Sequence, residues 1–213
     1  MNDREVREQC LRLLRDGASD PSGPGAADPA VPGAPADPEG DALLSHDVDG
    51  DIAVVSVLRR GGGMLLPDEV MIEGLTFQFR GGEWMELGGG SGSAPARPLD
   101  RCSEEELGGA LRVYGSGRTV RNADRLLPWG AKWVNQARLR AAAGVATVRV
   151  GSRLLRVPEH GHLAIVWGTR RAPVLEALDA DGGVRGVLDL EHPFPSGPRL
   201  APVGTAPNLT DRS

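Results

Sequence analysis

The chain has 213 residues, a formal net charge of -5 and a hydrophobic share of 40%, with 30 glycines and 17 prolines. Glycine and proline exceed their average usage, so we expect part of the chain to lie outside a packed core. No run approaches the roughly 20 apolar residues that a membrane-spanning helix needs, and the polar N-terminus is not a secretion signal, so we expect a soluble, cytoplasmic protein.

The first predicted element is a short amphipathic helix over residues 1–17. Asp3 is a suitable N-cap and Gly17 a suitable end, and apolar residues recur between them at helical spacing: Val6, Cys10, Leu13 and Leu14. A helix of this length is marginally stable alone in water, so its apolar face needs a partner surface. That surface belongs either to the same chain or to another protein, for which these four residues would form a docking helix.

Residues 18–47 are predicted to form a disordered, acidic linker. Proline, alanine, glycine and aspartate dominate its sequence, and few branched apolar side chains are present to offset the entropy of ordering. Over residues 16–51 nine acidic residues occur without a single lysine or arginine. Its proline content predicts an extended rather than a collapsed segment.

The folded domain is predicted over residues 48–192 as an all-β, immunoglobulin-like sandwich. Residues 52–58 are apolar and mostly β-branched, which is typical of a buried strand. Further on, Gly81-Gly82 separates two alternating runs and predicts a two-residue hairpin in which Phe79 lies opposite Trp84. We expect the side chains that point inward to be consumed by packing, leaving no buried reactive group.

The middle of the chain is less regular. Residues 88–98 are expected to be flexible, and they lack the lysine that ends a phosphate-binding loop. Residues 103–107 predict one helical turn, and residues 111–114 predict a strand. Residues 131–143 combine good helix formers with an alternating pattern, so helix and strand both stay open there, with a strand from about Gln136 favoured.

Short alternating runs separated by turn residues continue to Leu190 and predict antiparallel strands. These runs are residues 147–150, 154–157, 162–167, 174–178 and 184–190. The proline-rich residues 193–213 are expected to form a flexible tail.

Basic residues concentrate in residues 112–156, where ten Lys or Arg accompany a single acid, Asp124. The candidate binding residues in this segment are Arg118, Arg121, Arg125, Lys132, Arg138 and Arg140. If they share one face, they would bind a polyanion or an anionic partner; if they alternate outward on strands, they are simply solvated. A third possibility is that the acidic linker lies across them. Nucleic acid is not expected, because no known nucleic-acid-binding motif accompanies the charge.

His160 and His162 are the main catalytic candidates. On an extended strand they would point to the same side, as a two-histidine metal site requires, but Pro158 and Gly161 favour a loop instead. The sequence has neither a Gly-x-Ser-x-Gly nor a His-Glu-x-x-His motif, and its two cysteines lack the spacing of a zinc or redox motif. We therefore predict no catalytic residue, no metal and no cofactor.

Three segments together resemble a module of uncharacterised actinobacterial proteins: residues 148–158, residues 161–167 and the Ala-Leu-Asp-Ala-Asp-Gly turn at residues 177–182. The resemblance covers about a quarter of the chain and implies an immunoglobulin-like or transthyretin-like accessory domain. Proteins with this pattern are often tethered to membranes, whereas this sequence shows no spanning segment. No catalytic residue is implied.

These patterns predict a non-enzymatic bacterial protein that acts as an interaction or accessory module. Its expected partner is another protein, bound through the N-terminal helix or the basic segment. The alternatives are a metal-assisted hydrolase that uses His160 and His162, and a polyanion-binding protein that uses the arginines.

Overall fold

The computed structural model describes residues 3–17, 40–62, 65–95, 97–122 and 131–192. Most of the predicted linker, the predicted tail and Arg125 lie outside these residues. Two helices and eleven strands are described: α1 Asp3–Gly17, β1 Ala42–Asp49, β2 Ile52–Gly62, β3 Leu65–Arg80, β4 Glu83–Ser93, α2 Glu104–Leu107, β5 Leu111–Val120, β6 Trp133–Ala141, β7 Thr147–Val150, β8 Arg153–Arg156, β9 His162–Trp167, β10 Val174–Leu178 and β11 Val184–Asp189. No helix among the described residues is long and apolar enough to cross a membrane.

The strands form three antiparallel sheets. The first sheet has the order β1-β2-β3-β4, the middle sheet β5-β6-β9, and the third sheet β11-β10-β7-β8. Apolar clusters join α1 to the first sheet, the first sheet to the middle sheet, and the middle sheet to the third. The protein is therefore mostly β, with a short N-terminal helix, as predicted, and its layers follow one another as helix, sheet, sheet and sheet.

Strand β2 confirms the predicted buried strand, and the layering explains its sequence. Every residue from 52 to 58 is at most 1% exposed. Ala53 and Val55 pack with α1, whereas Ile52 and Val54 pack with the middle sheet. Because both faces of the first sheet are covered, residues 52–58 are apolar at every position except Ser56 instead of alternating.

Helix α1 packs on the first sheet of its own chain, which is one of the two alternatives that the sequence left open. Val6, Cys10 and Leu14 are buried there, and Leu13 is partly buried against the same cluster. Ion pairs of 2.7 Å from Asp3 to Arg59 and 2.8 Å from Arg7 to Glu86 link the helix to the sheet. While α1 is docked in this way, its apolar face is not available to another protein.

The predicted hairpin is confirmed in its turn and its register. Phe79 pairs with Trp84, and their ring centroids lie 5.3 Å apart. Gly81 and Gly82 have φ angles of 63° and 90°, which side chains with a Cβ rarely adopt.

Three expectations need correction. Residues 88–93, expected to be flexible, continue β4 and pair with β3. Strand β1 begins at Ala42, so the linker ends before the predicted residue 47; pairing with β2 orders this segment. The ambiguous residues 131–143 contain strand β6, which begins three residues before the favoured position.

Candidate functional site

A layer of buried polar residues lies in the interior, where the inward side chains were expected to leave no buried reactive group. We call it the polar layer; its members are Ser45, Asp47, Ser56, Thr76, Gln136, Arg138, Arg140, His160 and His162. Burying such groups is costly unless they are hydrogen-bonded. Their contacts therefore decide whether the layer is structural or functional.

Strand β6 contributes three of these residues by simple alternation. Ala137, Leu139 and Ala141 belong to the apolar cluster shared with the third sheet. Gln136, Arg138 and Arg140 point the other way, toward the first sheet and the chain that follows it. Since the middle sheet is covered on both faces, the arginines that were expected to be solvated are only 5% and 6% exposed.

The buried guanidinium groups bind backbone carbonyls. Arg138 donates from Nη1 to the carbonyl oxygens of Ile72 and Gly90, the latter at 2.8 Å. Arg140 donates from Nη2 to Arg97, at 3.2 Å, and to Asp100. Burial lowers the pKa of Arg138. These arginines therefore connect the middle sheet to its neighbours and do not present charge to a partner.

His162 has no free ring nitrogen. Its Nε2 lies 2.6 Å from the carbonyl oxygen of Pro98, and its Nδ1 lies 3.0 Å from the Tyr114 hydroxyl. Because a carbonyl only accepts, Nε2 must carry the proton and Nδ1 must accept from Tyr114. His160 accepts from the backbone N–H of His162 at 3.1 Å. Burial lowers the pKa to about 4 for His160 and about 3 for His162, so both rings are neutral near pH 7.

The two histidines lie close together, with ring centroids 5.5 Å apart. Nevertheless, the described residues contain no group of three or more His, Cys, Asp or Glu side chains that is suited to a metal ion. A metal on His162 would have to displace the hydrogen bond of Tyr114 or that of Pro98. The geometry therefore gives little support to the two-histidine metal site, which the sequence left open as an alternative.

The remaining candidate basic residues differ in their surroundings. Arg121 forms an ion pair with Asp51. Arg118 and Lys132 are exposed, and Arg125 lies outside the described residues. Part of the predicted acidic segment does contact the basic segment, because Asp51 belongs to it; residues 18–39, the main part of the proposed shield, are not described.

Asp47 is a second contact between the acidic and basic segments. Its Oδ1 lies 2.5 Å from Arg153 Nη1, and its Oδ2 accepts from the backbone N–H of Val166 at 2.8 Å. Arg153 also donates to the Val166 carbonyl oxygen at 2.9 Å. The pair thus provides hydrogen-bond partners for the backbone N–H and C=O groups of Val166. These groups lie at the edge of β9, which pairs only with β6 among the described strands.

The candidate binding site is a pocket on the face of the middle sheet that is directed toward the third sheet. We call it the Trp167 pocket; it has a volume of roughly 330 Å³ and is lined by Val113, Ser116, Gly117, Arg118, Asn135, Gln136, Ala137, Trp167 and Leu190. Arg118, Asn135 and Trp167 lie in one row across β5, β6 and β9. Leu190, which follows β11, contributes an apolar wall.

The side chains of this row are held in place by their neighbours. The Arg118 guanidinium carbon lies 3.9 Å from the centroid of the Trp133 ring, a cation–π contact. Asn135 donates from Nδ2 to the carbonyl oxygens of Trp167 at 3.4 Å and Thr169 at 3.5 Å. Arg118 is the one charged residue among the described residues that line the pocket.

Sequence reasoning identified Arg118 but missed the pocket around it. The available signal was a spacing of two residues, which places Ser116 and Arg118 on one face of a strand and Asn135 and Ala137 on one face of the next. It was not recognised because the strand at residue 111 was expected to end at residue 114, and the strand containing Asn135 to begin only at residue 136.

No family model, curated protein or solved structure matches this chain. Its function is therefore inferred from the contacts described above.

Proposed function

We propose that the protein is a non-enzymatic interaction module that binds an acidic segment of a partner protein in the Trp167 pocket. The observation that carries the proposal is the guanidinium of Arg118, held on Trp133 beside a depression whose lining is mainly apolar and includes the polar residues Ser116, Asn135 and Gln136. A volume near 330 Å³ is within the range of specific ligand sites, and an apolar lining with a few placed polar groups is typical of them.

The charge of the pocket favours an anionic occupant. Within the described part of the chain, no carboxylate lines the pocket, and none pairs with Arg118. Stacking on Trp133 occupies the face of the guanidinium, whereas its N–H donors lie in the plane of the group. These donors remain suited to a carboxylate, which a guanidinium binds in a bidentate manner.

The pocket is better suited to binding than to catalysis. Among the described residues, its lining includes the Ser116 hydroxyl but no histidine, aspartate or glutamate that would act as a base. The histidines of the polar layer are buried and hydrogen-bonded within the protein. The hydrolase alternative therefore has less support, and so does the polyanion alternative, because Arg138 and Arg140 are buried.

An immunoglobulin-like core is part of the same proposal. In constant-type immunoglobulin domains, strands A, B, E and D form one sheet and strands C, F and G the other. When β5 to β11 are lettered A to G, the middle sheet has strands A, B and E, and the third sheet has G, F, C and D. The two arrangements differ only in the sheet that holds strand D. The first sheet would then be an addition to this core.

A peptide-display selection tests the proposed function. A library of random 12-residue peptides is selected on the full chain, and the enriched peptides are titrated by fluorescence anisotropy against three proteins: the wild type, Arg118→Glu and Arg12→Glu. Arg12→Glu makes the same change of charge on the exposed face of α1, far from the pocket. We expect acidic peptides that bind Arg118→Glu at least tenfold more weakly and Arg12→Glu equally well.

Enriched peptides without excess acid, or equal binding to Arg118→Glu, would contradict the proposal. A single-stranded oligonucleotide that bound more tightly than any peptide, with the same dependence on Arg118, would assign the pocket to nucleic acid instead.

A further inference from the structure

We infer that the acidic segment of the partner protein binds as an added strand along the outer edge of β5, pairing with residues 115–120. This inference rests on the proposed function and specifies how the partner is recognised. The partner strand would place an acidic side chain beside Arg118 and an apolar side chain two positions away, in the Trp167 pocket.

Strand β5 lies at the edge of the middle sheet. Among the described strands it pairs only with β6, in the order β5-β6-β9. An edge strand presents a row of backbone N–H and C=O groups that can pair with another chain. Extended peptides use such edges when they add to a sheet, with backbone hydrogen bonds providing affinity and alternate side chains providing specificity.

The pocket reaches this edge from the face of the sheet. Four of its nine lining residues, Val113, Ser116, Gly117 and Arg118, belong to β5, and the others belong to β6, β9 and the chain after β11. A ligand that enters the pocket from the β5 side therefore passes next to the backbone of this strand. Pairing with the edge would hold such a ligand with its side chains directed toward the pocket.

The local backbone sets the length of the pairing. The register of β5 with β6 shifts between Val113 and Gly115, which is a β-bulge with Tyr114 as the extra residue. A bulge at a sheet edge interrupts regular pairing. Since β5 ends at Val120, the regular stretch comprises residues 115–120 and fits a partner strand of about six residues.

Strand alternation then predicts a sequence motif for the partner. Ser116 and Arg118 point to the pocket face, as their cross-strand neighbours Ala137 and Asn135 do. A residue directly opposite on an adjacent strand has its Cβ about 5 Å away, and the next side chain on the same face is two residues along. The motif is thus an acidic and an apolar residue separated by one position, in an order set by the strand direction.

Backbone N-methylation of the peptide tests this inference. The tightest acidic peptide from the selection is synthesised with a methyl group on one backbone nitrogen at a time, and each version is titrated against the full chain. An added strand donates from every second residue, so we expect at least tenfold weaker binding at alternate positions over about six residues and little effect at the positions between. Peptides in which glutamate is replaced by glutamine are titrated against the wild type and Arg118→Ala. Together with the unchanged peptide they complete a double-mutant cycle for the contact between the acidic side chain and Arg118.

The outcomes distinguish failure of the added strand from failure of the proposed function. Binding that depends on Arg118 but tolerates N-methylation at every position would overturn the added strand and leave the proposed function standing. Binding that does not depend on Arg118 would overturn both. Backbone amide exchange provides an independent readout on the protein, because alternate amides of residues 115–120 should slow at least tenfold when the peptide binds.

Discussion

Arg138 and Gln136 lie inside the protein although their residue types are usually found at the surface. Glycines on neighbouring strands provide the space they need. A Cβ atom at Gly115 would lie 2.5 Å from Arg138 Nη2, and one at Gly74 would lie 2.3 Å from Gln136 Oε1. Gly74 and Gly115 are therefore positions where the backbone leaves room for long polar side chains.

We expect Gly115→Ala to destabilise the protein by about 1–3 kcal/mol, because the added methyl group would displace a buried guanidinium. Gly90→Ala is the matched control, since a Cβ there has nothing within 4 Å, and it should leave stability nearly unchanged. Urea unfolding at equilibrium measures both. Equal effects of the two substitutions would show that the Arg138 side chain is not held over Gly115.

Asp47 is a second residue whose contribution to stability depends on its burial. Asp47→Ala removes the acceptor for both Arg153 and the backbone N–H of Val166, and loss of one partner of a buried pair costs about 3 kcal/mol. Asp51→Ala, in a more exposed pair with Arg121, should cost about 1 kcal/mol or less. Urea denaturation of both variants checks the difference, and a cost for Asp47→Ala no greater than that for Asp51→Ala would refute the structural role of the pair.

At the scale of elements, pairing with long neighbours overrides local propensity. The glycine-rich half of β4 is a poor strand by composition, yet it pairs with β3 over residues 88–93. Strand β1 contains two acidic residues, Asp47 and Asp49, and still pairs with β2 along its length. Helix α1, in turn, is stabilised by the apolar face of the first sheet, because its isolated form is marginal.

The docking of α1 can be followed through the Cys10 thiol. This side chain is fully buried beneath the helix, and burial raises its pKa to about 12. In a Cys102→Ser background we expect slow modification by a thiol reagent. Leu14→Ala removes a buried contact worth about 2 kcal/mol or more, so modification should become more than tenfold faster.

Arg12→Ala, on the exposed face of the same helix, is the matched control and should leave the modification rate unchanged. Cys10 that reacts as fast in the native wild type as in urea would show that α1 is not held on the sheet.

At the scale of the whole molecule, three stacked sheets create two interiors of different character. The interior between the middle and third sheets contains the largest apolar cluster. The interior between the first and middle sheets contains the smaller cluster and most of the polar layer. Folding therefore removes several titratable groups from water, and global stability becomes dependent on pH.

We predict that the free energy of unfolding rises as the pH increases from about 4 to 6.5. Burial lowers the pKa of His160 to about 4 and of His162 to about 3, from 6.5. Over that window the unfolded chain binds more protons than the folded protein, so deprotonation favours folding. Asp47 opposes the trend between 3.8 and about 6, because burial raises its pKa to about 6 and the folded carboxyl retains its proton. The two histidines outweigh this one group.

Urea midpoints measured across that pH range test the prediction. A His160→Gln, His162→Gln double variant should lose most of the rise; burial also lowers the pKa of His46, which then remains to offset part of the opposite slope that Asp47 produces. A wild-type midpoint that stays flat or falls with increasing pH would contradict the assignment of neutral, buried imidazoles.

The sequence by itself determined the features that depend on neighbours in the chain. These are the amphipathic helix at residues 3–17, the two-glycine hairpin with Phe79 opposite Trp84, the buried strand at residues 52–58 and the series of strands after residue 147. Each follows from local periodicity and turn chemistry, so each could be predicted without knowing the rest of the fold.

Only the tertiary structure decided which face of each strand is covered, and therefore which residues are available. The alternation of Arg138 and Arg140 with alanine and leucine left solvated arginines open, but the first sheet and the chain that follows it cover that face. Arg118, on the neighbouring strand β5, points to the opposite face and stays exposed beside Trp133. Burial is a property of layers that are distant in sequence, and for this reason the pocket could not be found from periodicity alone.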